Sequence, residues 1–131
     1  MNSYFEQVQG YLLDLDFNII HENEEDGVFW VEKEDAGIQN LVIGCLDPIL
    51  VMEQFLFEIK NESNEMYKSL LIKNRDIIHG AFVLDETGKK VIFRDTLQLE
   101  NLDLNELEGS INSLSLLLSE YSDELIKFSK N

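Results

Sequence analysis

The 131-residue chain contains one cysteine, one proline and two histidines, and its 10 lysines and arginines face 26 aspartates and glutamates. Each scarcity excludes something. With Cys45 alone, no intrachain disulfide can form, which fits a reducing compartment. His21 and His79 fall on separate predicted strands, and Cys45 lacks a Cys-x-x-Cys partner, so no metal site is expected. The net charge of −16 repels nucleic acid and anionic membrane surfaces, so neither is expected as a partner. No apolar run reaches the roughly 18 residues that a membrane span needs. The stretch Met1 to Glu6 lacks a basic region followed by an apolar one, so no signal peptide is expected and the cytoplasm is the default location. Dinucleotide and phosphate-loop glycine patterns are missing, as is a Gly-x-Ser-x-Gly elbow. The expectation is a non-enzyme with no catalytic residues and no cofactor.

What is present is a globular composition, 44% hydrophobic, with no Pro- or Ser-rich linker and no internal repeat. Residues 1–131 therefore read as a single domain. The acidic charge is uneven: residues 1–65 hold 15 acidic and 2 basic side chains, and residues 66–131 hold 11 and 8. Such a field either keeps the chain soluble or steers a basic protein toward it. Glu22 to Gly27 has a faint calcium-loop look, but Lys33 occupies the twelfth position, where a bidentate Glu is needed.

Phe5, Val8, Leu12 and Leu15 step by three and four, predicting a helix over 3–15, with Ser3 and Glu6 placed for a capping box. Strands are predicted over 17–21 and 28–33, joined by an acidic turn ending in Gly27, with Trp30 expected in the core. Leu41 to Leu46 is a continuous apolar strand stopped by Asp47-Pro48. Residues 49–59 form the longest strand candidate. Simple alternation puts Ile49, Val51, Phe55 and Phe57 on one face and Leu50, Met52 and Leu56 on the other. Apolarity on both faces implies a central strand, or one whose second face meets another subunit.

The last helix is predicted to start at Asp103, with Glu106 completing a cap. Leu104, Leu107, Ile111, Leu114, Leu118, Tyr121, Leu125 and Phe128 then repeat in a strict heptad stripe. At 1.5 Å per residue that helix spans roughly 39 Å, longer than a small sheet is wide, so its far end is a candidate dimer contact through Leu118, Tyr121 and Leu125.

The stretch from Leu70 to Leu99 organises the rest. Leu70-Leu71-Ile72-Lys73-Asn74-Arg75 closes a helix, and Ile77 to Asp85 runs out as a strand. Glu86-Thr87-Gly88 then turns, and Val91, Phe93, Leu97 and Leu99 share one face of the return strand. Asp95 interrupts that face and is expected to face solvent at a bend.

This helix ending in Leu-Leu-x-x-Asn-Arg, followed by a Gly-x-Phe-x-Leu-Asp-x-x-Gly hairpin and a long acidic helix, resembles the YbjN-like family. It also resembles the related type III secretion chaperones that include the Tir chaperone. The resemblance covers nearly the whole chain in element order and is most specific at residues 70–93. It implies an α+β fold: a twisted antiparallel β-sheet with helices packed on one side, in the order α-β-β-β(-β)-α-β-β-α. It also implies a chaperone-like homodimer that holds an extended segment of a protein partner, secreted or basic. In secretion chaperones the first helix helps clamp the partner; here it either does so or packs on the sheet. Phe5 and Val8 on that helix, with Phe55 and Phe57 on the sheet, are the expected partner-binding residues. A second reading of the charge is an acidic inhibitor or immunity protein that masks a basic toxin or nuclease.

Overall fold

The computed structural model describes residues 3–131, with side chains from Tyr4 onward. Among the described residues, six strands form one antiparallel sheet in the order β1-β2-β3-β4-β6-β5. The elements run α1 (Ser3–Asp14), β1 (Asn18–Asn23), β2 (Val28–Lys33), β3 (Ile38–Leu46), β4 (Ile49–Glu58), α2 (Asn64–Lys73), β5 (Ala81–Leu84), β6 (Lys90–Gln98) and α3 (Leu104–Lys130). This is the α+β order expected from sequence. The expected Ser3 cap rests on a side chain outside those described.

The helices cover one face of the sheet. Val8 and Leu12 of α1, Met66 and Leu70 of α2, and Leu107, Ile111 and Leu114 of α3 join one core with Phe29, Ile43, Met52 and Phe93. Phe5 seats α1 on the sheet by stacking on Phe29, ring centroids 4.2 Å apart. Asp103 caps α3 as its spacing predicts, accepting from the Glu106 amide at 2.8 Å. Ser63 caps α2 by accepting from the Met66 amide.

Three expectations are corrected by pairing register. Trp30 lies between Phe29 and Val31, which both point into the core, so alternation turns the indole to the uncovered face, half-buried beside His21. Phe55 and Phe57 do not share a face. The β4–β6 register shifts between them, and this bulge sends Phe57 into the core opposite Val91 while Phe55 stays outside opposite Ile92. Asp95 pairs with Met52 and so lies on the core-facing row. It is half-buried, with Oδ1 accepting from the Thr96 amide and Oδ2 buried without a partner.

The organising stretch also holds a shorter strand than expected. β5 begins only at Ala81, because Gly80 has a φ of +85° and breaks the extended run from Ile77. Asn74 explains the Asn of the Leu-Leu-x-x-Asn-Arg run. Its Oδ1 accepts from the Phe82 amide at 2.8 Å and its Nδ2 donates to the Phe82 carbonyl at 3.2 Å. The carboxamide thus stands where a further strand would pair with edge strand β5. Asn74→Ala is expected to cost about 1–3 kcal/mol, the usual range for stranding part-buried polar groups. A lower urea midpoint at unchanged slope, with faster hydrogen exchange at the Phe82 amide, is the signature.

Candidate partner-binding surfaces

With every helix on one side, the other face of the sheet is left uncovered. One cross-strand row there runs His21, Trp30, Val42, Glu53, Arg94 and Ala81. Phe55, Ile92 and Val83 form a second row. The face is mostly apolar, with a Glu53–Arg94 ion pair of 3.0 Å near its middle and both partners open to water. Such a pair adds little stability but fixes charge positions on the face.

A step in the sheet creates a groove. β3 pairs with β4 only as far as Val42 opposite Glu53, whereas β4 goes on pairing with β6 to Glu58. Residues 54–58 therefore have a strand on one side only. Beside them lies a cavity of about 220 Å³, walled by Phe55 and Leu56 of β4 and by Leu118, Leu125 and Ile126 of α3. Phe55 is 52% exposed there, with the Lys90 ammonium 6.0 Å from its ring centroid.

A second groove of about 350 Å³ lies between α2 and β5, lined by Tyr67, Leu70, Leu71, Phe82, Val83 and Leu84, with Val91 behind. Leu71 is 67% exposed and Ile72 and Leu84 are also open to solvent. The neighbouring loop holds Ile78 at 86% exposure, next to exposed Leu116 of α3. Exposed apolar side chains gathered in one region mark an interaction surface rather than chance. The sequence signal was the run Leu70-Leu71-Ile72, three apolar residues in a row, more than one helix stripe can bury.

The residues expected at interfaces separate into two sets. Phe5, Val8 and Phe57 are core residues of the single chain, at most 3% exposed, because α1 and the inner sheet face close on each other. Their expected place on a partner-binding face is corrected to that extent. Phe55 is on the surface. Among the expected dimer residues, Leu125 is buried and Leu118 is half-buried beside Phe55. Tyr121 faces the other flank of α3, against Phe82 at 6.1 Å and under the Lys73 ammonium at 5.3 Å. Desolvation raises the Tyr121 phenol above its ordinary pKa, with Glu120, Asp76 and Glu124 pushing the same way and Lys73 against it.

Reactive chemistry is sparse. Burial pushes the Cys45 thiol up to about 11, so the thiolate that would act as nucleophile or ligand is absent near neutral pH. The folded protein is expected to leave Cys45 unmodified by a thiol-exchange reagent at about pH 8, and to release one equivalent only on unfolding. The shift favours the protonated, folded form. Its contribution is intact below the ordinary thiol pKa and fades as pH rises toward about 11. Among the described residues, no group of three or more His, Cys, Asp or Glu side chains is arranged to hold a metal ion. No described helix is long and apolar enough to cross a membrane.

A family model described as CesT_Tir_1, a type III secretion chaperone family, matches residues 1–131. Three solved structures share the fold. YbjN from E. coli is 12% identical over 91% of each chain, with a TM-score of 0.69. A chain of the HopA1–SchA chaperone–effector complex is 11% identical, covering 97% of this chain and 94% of that one, at a TM-score of 0.61. The Yersinia pestis type III secretion chaperone SycH, in complex with a stable fragment of YscM2, is 16% identical, with 97% and 100% coverage and a TM-score of 0.57. No curated protein matches the chain.

Proposed function

The chain belongs to the CesT_Tir_1 family, and from that premise we propose that it is a non-enzymatic chaperone that holds an extended segment of a protein partner in the cytoplasm. The observation that carries the reading is the uncovered sheet face, apolar at Trp30, Val42, Phe55 and Ile92 and opening onto the groove under Phe55. A monomer with all its helices on one side leaves this surface for something else to cover. The partner is a secreted or basic protein, since a field of −16 attracts positive charge.

The working form is a homodimer joined through the α2–β5 groove. That region is where two copies meet without repulsion: residues 60–95 hold seven basic and six acidic side chains, against three and twenty in the rest. Equilibrium sedimentation is expected to give twice the chain mass, and Leu71→Glu to give the monomer with an unchanged circular dichroism spectrum. A monomeric wild-type chain removes the dimer from the proposal.

Capture from native cells at low salt, with a high-salt wash and limited proteolysis of the captured protein, tests the role. A dominant partner whose bound segment is unfolded and protease-sensitive once released supports it. A folded toxin or nuclease, silenced when bound, replaces it with the inhibitor reading.

A further inference from the structure

We infer that the cavity between the 76–79 loop and α3 binds a small organic cation, a primary ammonium on an aliphatic arm. This goes beyond the partner-holding role and does not depend on it.

The cavity holds about 270 Å³. The loop supplies Asp76 through His79, and α3 supplies one stripe from Gly109 to Tyr121, at positions three and four apart. At 1.5 Å per residue that stripe runs about 18 Å, so the cavity is elongated along the helix. The Ser113 hydroxyl donates to the His79 carbonyl at 2.9 Å and ties the loop to α3.

The middle of the cavity is apolar. Leu117 is buried and Ile77 half-buried, while Ile78 and Leu116 stand 86% and 64% exposed. Two large apolar side chains left in water beside a cavity gain from an occupant that covers them.

One end is negative. Asp76 and Glu120 both line the cavity, and neither has an ion-pair partner among the described residues. Desolvation raises the Tyr121 phenol, and Glu120 and Asp76 add to it, so the two carboxylates act on the same end of the cavity. Lys73, which opposes them there, is already held by Glu124 at 2.8 Å. The opposite end belongs to His79, whose Nε2 lies 3.7 Å from a Cβ built on Gly109. Gly109 is about 16 Å from Glu120 along the helix axis. Charge complementarity therefore puts the ammonium at Asp76 and Glu120 and lays its arm over Leu117 and Leu116 toward His79.

The other cavities lack this combination. The α2–β5 groove has apolar walls and no charged residue. The cleft lined by Asp16, Glu32 and Asp35 has carboxylates and no apolar residue. The volume also sets the class of occupant. It falls just below the roughly 300–1,000 Å³ of sites for drug-sized ligands, so a short free amine fits it better than a peptide segment.

The test titrates the full chain with n-hexylamine, followed by NMR of the side-chain methyl groups. Binding is expected to saturate at about millimolar concentration or below, with cross-relaxation from the amine's methylenes to the Ile78 and Leu116 methyls. Methylamine, which has the charge without the arm, and n-hexanol, which has the arm without the charge, are each expected to bind at least about fivefold more weakly. Asp76→Asn and Glu120→Gln are each expected to weaken n-hexylamine by about twofold to fivefold. Glu25→Gln, on the β1–β2 turn at the far side of the sheet, is expected to leave it unchanged. Leu116→Ser is expected to weaken it with an unchanged circular dichroism spectrum. Equal affinity for n-hexanol or methylamine, an equal loss with Glu25→Gln, contacts that fall elsewhere, or no saturation overturns the site. A lysine-bearing tripeptide that binds as tightly as n-hexylamine overturns the free amine as its occupant.

Discussion

Phe5→Ala is expected to destabilise the chain by about 3–5 kcal/mol, the cost of emptying a fully packed aromatic site. Phe5 is 2% exposed and stacked on Phe29, so its removal leaves a void between α1 and the sheet that neither can close without bending. The matching variant on the surface, Phe55→Ala, is expected to change stability by no more than about 0.5 kcal/mol. The two should cross over in a binding measurement. Loss at Phe55 weakens retention of the partner at full fold, whereas loss at Phe5 lowers it only as far as the folded population falls. Urea midpoints for both variants, with partner capture measured in buffer without denaturant, separate the roles. Equal destabilisation by the two would place Phe55 in the core and remove it from the proposed surface. The Phe5–Phe29 double replacement adds a further check, since a stacked pair couples by about 0.5–1.5 kcal/mol.

Gly80→Ala is the second large effect. A Cβ built at Gly80 lies 2.4 Å from Cζ and 2.6 Å from Cε1 of Phe93, and 3.0 Å from the Arg94 carbonyl oxygen. Phe93 is fully buried and cannot swing away, and the φ of +85° is itself disfavoured for a residue with a side chain. Conformational cost and overpacking together come to about 2–5 kcal/mol. Gly88→Ala gives the comparison. It shares a positive φ, +73°, but has nothing within 4 Å of its Cβ, so about 1–2 kcal/mol is expected. Thermal or urea unfolding of the pair measures the difference. Equal effects would mean that the Gly80 turn can move off Phe93 freely, and that β5 is not held to β6 by this contact.

The second prediction bears on function because β5 walls the groove proposed for the dimer. The α2–β5 groove depends on Gly80 and Asn74 to hold β5 in place, one by close approach and the other by two hydrogen bonds. A variant that loosens β5 without touching Leu71 should therefore also weaken the proposed dimer.

Element identity was legible in the sequence because it is local. The stepping of Leu107, Ile111 and Leu114 along α3, the Asp103 cap and the turn at Gly88 each depend on neighbours a few residues away. The net charge and the lone cysteine likewise needed no structure. Which side of the sheet a residue occupies was decided by pairing between distant segments. One inserted residue between Phe55 and Phe57 reverses the alternation that the sequence pattern assumes, so one ring is core and the other is surface. Trp30 faces outward for the same reason of parity, since Phe29 and Val31 had already claimed the core. The step at Glu53 and the open edge beyond it arise only where strands of unequal reach meet. No local window contains both sides of such a contact, and for that reason only the tertiary structure decided where a partner has room to bind.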